Sequence, residues 1–295
     1  MTAVPLLPKR MRLGESIIWD ELSRMILWVD VGYPSYLYLY DPAQDSLRKV
    51  DYAGLLCGVA LTNRPDTVIL LADSFLKRCH LPSGHIDDLM HVDPDCPSNI
   101  CNECGVDMEG CLWVATMQNN MRPEASEKRL ERSGSLYQLR SGELVRYQSG
   151  LGIPNTLLWS SNGKRFYMGD SLDGKLFCYD VEGDSLSNKR ELGEPHVGGV
   201  PDGSAMDSDD NLWNARWGDA AVFVYSSEGR RIKTIPIPTS QVTSCTFGGP
   251  DMSTLFVTTA QHELSPAERA QFPLSGTVFK VETSVRGKTR GRVKL

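Results

Sequence analysis

The sequence predicts one six-bladed β-propeller, an all-β ring of four-stranded antiparallel blades around a central channel, and three observations carry that prediction. A short apolar strand recurs along the whole chain as MILWVD, DTVILLAD, GCLWVATM, KRFYMGDS, NLWNARWG and TLFVTTA. Its anchors, Trp28, Ile69, Trp113, Tyr167, Trp213 and Phe256, stand 41, 44, 54, 46 and 43 residues apart, which is the length of a propeller blade. Each anchor strand follows a turn rich in Gly, Asp, Asn or Ser, and helical periodicity is almost absent.

The first blade reads as an inner strand LGESIIWD, the turn DELSR, the anchor strand MILWVD and the alternating strand YLYLYDP. The second reads as LLCGVALT, TNRPD and DTVILLAD. The third opens with CNECGVD, turns at DMEG, continues through GCLWVATM and resumes at SGSLYQLR. Between those last two strands lies the polar, charged stretch Gln118 to Gly134, which reads as a long loop over one face of the ring, where loops carry function. The fourth blade is IPNTLLWS, SSNGK, KRFYMGDS and GKLFCYDV, and the fifth is VPDGSAMD, DSDDN, NLWNARWG and AAVFVYSS. The sixth, VTSCTFGG, GGPDMS, TLFVTTA and GTVFKVE, is one strand short. A strand from the first twenty residues is expected to pair with GTVFKVE and close the ring, which removes an exposed sheet edge.

At roughly 150 residues per domain the length fits one or two domains, and the uninterrupted repeat selects one, residues 1–295, with a basic tail from about 284 to 295 that reads as solvated. Thirty-one basic against 37 acidic side chains give a net charge of −6 and no basic field for a phosphate backbone, which argues against nucleic acid as the main ligand. No apolar run reaches the ~18 residues needed to span a bilayer, and the opening residues lack a signal-peptide core, so no membrane is expected and the location is expected to be cytoplasmic. Eight cysteines in such a chain are read as reduced thiols. The cluster Cys96, Cys101, Cys104 and Cys111 has one C-x-x-C pair between lone cysteines rather than two ligand pairs, and is read as small buried residues instead of a zinc site.

On a propeller the inner strand of each blade delivers side chains to the channel. Three inner strands offer a lone carboxylate or amide at the head of an apolar run: Glu15, Asn155 and Asp202. Such residues also cap turns, and that reading stays open. Converging on a channel, two carboxylates and an amide are hard oxygen ligands that call for a divalent counter-charge, with calcium, magnesium or manganese favoured over a thiolate-preferring metal. The five histidines pair with no nucleophile in a recognisable motif; His196 is nearest in sequence to Asp202. The six tryptophans read as blade cores.

From about Gly14 to Val281 the chain resembles the SMP-30/gluconolactonase/regucalcin family of sugar lactonases. The stretches that carry the resemblance are LGESIIWD, GVDMEGCLWVATM, GIPNTLLWSSNGKRFYMGDS, GVPDGSAMDSDDNLWNARWG and SQVTSCTFGGPDMSTLFVTTA. It implies a divalent metal in the channel mouth held by Glu15, Asn155 and Asp202, calcium first, with zinc, magnesium and manganese as alternatives. It also implies that Asn102 and Asn120 contact a small sugar lactone, and that the reaction is hydrolysis to the aldonic acid with Asp202 as general base. One departure stands out: where many relatives carry arginine two residues before that asparagine, this chain has Ile100, followed after Asn102 by Glu103 and Cys104 in place of Asp-Gly. Arg122 and Arg216 are the candidates to replace the missing guanidinium, and Cys101 and Cys104 are expected beside the substrate. Two other readings remain, a calcium-binding regulatory propeller without lactonase activity and a metal-dependent phosphotriesterase.

Overall fold

The computed structural model describes residues 1–121 and 131–295. Their strands form six antiparallel four-stranded sheets. The inner strands are Gly14–Asp20, Leu56–Leu61, Asn99–Val106, Pro154–Trp159, Val200–Met206 and Val242–Gly248. Each packs on the next, and the last packs on the first, so the ring is closed around its channel. The first five blades are simple meanders. In the sixth, Ala3–Pro5 supplies the outer strand, with Ala3 opposite Val281 and Pro5 opposite Phe279. The expected closure by the chain's beginning is therefore present, and no blade is left with a three-stranded edge. One short helix, Pro266–Gln271, interrupts the β pattern and is started by a reciprocal capping box between Ser265 and Glu268.

The anchors sit where blades meet. Trp113 packs 5.6 Å from Trp159 on the next inner strand, Trp213 lies edge-on 5.1 Å from Phe247, and Phe256 stacks 6.3 Å from Trp19. An aromatic on the second strand of one blade thus fills the wedge against the first strand of the following blade, which is why the anchors recur at blade spacing. Two anchors are also tied to their turns. Asp107 accepts the Trp113 indole N–H at 2.8 Å and the backbone N–H groups of Glu109 and Cys111; Asp207 repeats the pattern with Trp213, Asp209 and Asn211. One carboxylate thereby stops a strand, shapes the turn and satisfies a buried donor.

The basic tail is not a solvated appendage, contrary to its sequence reading. It crosses the end of the channel opposite the mouth and bonds to every blade. Arg292 pairs with Asp20 and donates to the Thr62 carbonyl, Lys294 N–H donates to Gly110, and Lys288 Nζ donates to Trp159. Arg290 donates to the Ser204 carbonyl, and Gly287 N–H to Met252. Its cations find the backbone carbonyls and acidic turns at the far ends of the inner strands, partners that no local pattern in the tail foretells.

Candidate active site

All six inner strands slip register close to their start, at Glu15/Ile18, Leu56/Gly58, Cys101/Glu103, Asn155/Leu158, Pro201/Ser204 and Val242/Ser244. A bulge re-aims the side chain beside it, and four of these six carry Glu15, Asn102, Asn155 and Asp202. Directly after Glu15 and Asn155, Ser16 and Thr156 adopt left-handed backbone, φ 51° and 57°. The strain is held by local bonds: Val59 N–H donates to Ser16 Oγ at 3.0 Å, and Thr156 Oγ1 donates to the Asp202 carbonyl at 2.5 Å. Asn214 Nδ2 donates to the same carbonyl at 2.9 Å, so the Asp202 backbone is clamped from two neighbouring strands.

The structure brings Glu15, Asn102, Asn120, Asn155 and Asp202 together on one cavity of about 270 Å³ in the channel mouth. Burial first, then the charges of Asp202 and Glu103, push the Glu15 carboxyl well above the usual carboxylate range. Asp202 is raised likewise by burial and by Glu103. Glu103 is itself raised by burial, opposed by Arg290 of the tail. Buried like charges of this kind require a cation or protons.

The donor set fits a hard divalent ion. Asn155 donates Nδ2 to Ser171 Oγ at 2.9 Å, and Ser171 in turn donates to the Pro201 carbonyl, which leaves the amide oxygen of Asn155, reached by Asn102 Nδ2 only at 3.5 Å, as the ligand atom. One oxygen of Asp202 accepts the Gly203 N–H at 3.0 Å, and one oxygen of Glu15 accepts the Ser16 N–H at 3.3 Å. The second oxygen of each has no such bond among the described residues. No cluster of three His, Cys, Asp or Glu side chains suited to a metal occurs among the described residues, so an ion in the mouth must draw on the amide as well as the two carboxylates.

Several expectations need correction. Arg216 is buried but does not line the mouth: its guanidinium donates to Asp219 at 3.1 Å and to the Gly199 carbonyl at 2.6 Å, in a separate cleft with His196. His196 bonds Asp219 at 2.9 Å and is likewise off the mouth. Strand alternation turns Asn214 toward the channel and sets Arg216 one step further, in reach of that acidic turn. Cys101 is buried in the core and Cys104 faces the lower channel; the thiol on the mouth is Cys57. Trp217 packs against the core and also lines the mouth. Arg122 lies outside the described residues. Sequence reasoning missed His262 and Glu263, which line the mouth just after the anchor strand of the sixth blade; burial, opposed by Glu263 and aided by Arg12, holds His262 below its ordinary value. Ser171 carries a signal in retrospect, since MGDS ends the strand that pairs directly with Asn155.

Comparison with known proteins agrees with this fold. The profile of the SMP-30/Gluconolactonase/LRE-like region matches residues 13–261. Regucalcin of Gallus gallus is 31% identical over 277 residues, covering 92% of this chain and 91% of its own. The Bacillus subtilis protein named "Putative sugar lactone lactonase YvrE" is 27% identical over 292 residues, 97% of each chain. The crystal structure of the calcium-binding protein regucalcin from Agrobacterium tumefaciens superposes with a TM-score of 0.91 at 24% identity, covering 100% of this chain and 98% of its own. With more than half its length matched by the profile, and a relative above 30% identity across nearly the whole chain, this protein belongs to the SMP-30/gluconolactonase/LRE-like family.

Proposed function

We propose that this protein is a metal-dependent sugar lactonase that opens an aldonolactone to its aldonic acid. The observation that carries the reading is the convergence of Glu15, Asn155 and Asp202, with Asn102 and Asn120, on one buried mouth with too few positive charges to balance it. Family membership supports a lactonase-type activity over other chemistries at such a site.

Glu15, Asn155 and Asp202 would hold the cation, calcium first. When bound, it supplies Lewis acidity that polarises the lactone carbonyl and lowers the pKa of nearby water. Asp202 is positioned to take the proton of the attacking water through its free carboxylate oxygen, because the Gly203 N–H and the clamped backbone fix its other oxygen and its main chain. Glu15 balances charge and fixes the ion's place. Asn102 commits its Nδ2 to the Pro154 carbonyl at 2.9 Å and presents its amide oxygen to a substrate hydroxyl; Asn120 offers both a donor and an acceptor. The buried cavity excludes bulk water from the reacting carbonyl.

Acid release from a panel of sugar lactones, followed at constant pH, tests the reading. It is supported by turnover that stops on chelation and returns with one divalent cation. Hydrolysis of an organophosphate alone, or cation binding with no turnover, overturns it.

A further inference from the structure

The floor of the mouth is polar and its wall is not. Two residues before Glu15, Asn102, Asn155 and Asp202 stand Leu13, Ile100, Ile153 and Val200. All four line the same cavity as the floor residues. The wall is doubled where Met117 pairs with Ile100 and Trp217 with Val200, both again on the cavity. Among the described residues no lysine or arginine lines this cavity, and the polar groups beyond the floor are His262 and Glu263, with side chains 20% and 70% exposed. A ligand whose carbonyl sits on the floor therefore sets its far end against aliphatic, thioether and indole surface.

We propose that the preferred substrate is a deoxy-sugar lactone, with a methyl group at the carbon remote from the carbonyl in place of a hydroxymethyl group. The inference rests on the lactonase reading and adds the substrate class to it. Among the described residues, a terminal hydroxyl pressed on the side chains of Leu13, Ile100, Ile153 and Val200 leaves water without finding a donor or acceptor on them, whereas a methyl gains contact. Discrimination by an apolar surface against one added hydroxyl is about 10- to 100-fold. Ile100 is one of these wall residues, and a guanidinium in its place would offer a fork of donors to that hydroxyl.

The experiment compares glucono-1,5-lactone with its 6-deoxy counterpart on the full chain supplied with the cation that supports turnover. The expected kcat/KM is at least about tenfold higher for the deoxy lactone, and Ile100→Arg is expected to narrow or reverse that ratio. Calorimetric binding of the two corresponding non-hydrolysable lactams gives the same ordering without catalysis. If Ile100→Arg lowers the melting temperature, Val200→Asn brings a polar group to the wall two blades away and is expected to narrow the ratio likewise. Equal or better turnover of gluconolactone, or tighter binding of its lactam, overturns the inference and leaves the lactonase reading standing. No hydrolysis of either lactone with calcium, magnesium, manganese or zinc overturns both.

Discussion

Ser171 holds Asn155 by the amide nitrogen, at 2.9 Å, and so decides which end of that amide faces the proposed cation. Ser171→Ala leaves the amide free to turn. Cation affinity is expected to fall about 10- to 100-fold, as for loss of other groups that orient a ligand, while the melting temperature of the chelated protein changes little. Titration against a fluorescent chelator measures the first and a thermal melt the second.

Asp202→Asn separates catalysis from charge. Turnover is expected to fall by about 100-fold or more with the loss of the base and a ligand. The chelated variant should melt at or above the chelated wild type, since one of three mutually repelling buried carboxylates, Glu15, Glu103 and Asp202, is gone. In wild type, cation at about 100 times its Kd should stabilise by about 2.7 kcal/mol, and in the variant by much less. Near-normal turnover with cation affinity retained would show that the base is another group.

Asp107→Ala removes the acceptor for two turn N–H groups and for the side chains of Trp113 and Gln138. A loss of about 2–4 kcal/mol is expected, read by denaturant unfolding. Because this turn lies at the opposite end of the ring from the mouth, kcat/KM should be unchanged at temperatures where the variant is folded.

Arg292→Ala tests the tail, and its effect depends on pH. Burial alone would raise the Asp20 carboxyl, but bonds from Ser23, Arg292 and Leu22 hold it below the usual range. A carboxyl lowered in the folded state stabilises above its unfolded value of about 4 and loses that contribution as pH falls through the lowered value. The variant is therefore expected to be about 1–3 kcal/mol less stable near neutrality, with the difference shrinking in acid. Unfolding of both proteins at several pH values checks it; a difference that grows toward acid would contradict this account.

The ring was legible because its determinants repeat. Trp113 and Trp213 each need an apolar strand, a preceding acidic turn and a partner one blade on, and all three leave marks at a fixed period. Glu15, Asn155 and Asp202 were legible as lone polar residues heading apolar runs, and the structure brings them to one cavity. His262 was not, because it follows its strand in a segment without alternation and reaches the mouth only through closure of the ring. Arg216 misled for a related reason: its partners, Asp219 and the Gly199 carbonyl, lie in turns whose approach depends on the fold of the fifth blade. The tail's basic run resembles many solvated termini, and only the assembled far face reveals six sets of acceptors.

The tail's path also bears on the traffic of small molecules. A propeller channel has two ends, and here the strap from Arg286 to Lys294 lies across one of them. Among the described residues, what remains accessible to the floor is the mouth side of the ring, lined by Ile100, Trp217 and His262 among others. Under the proposed reaction, an acid formed on that floor and leaving on the mouth side would stand in the path of the incoming lactone and compete with it.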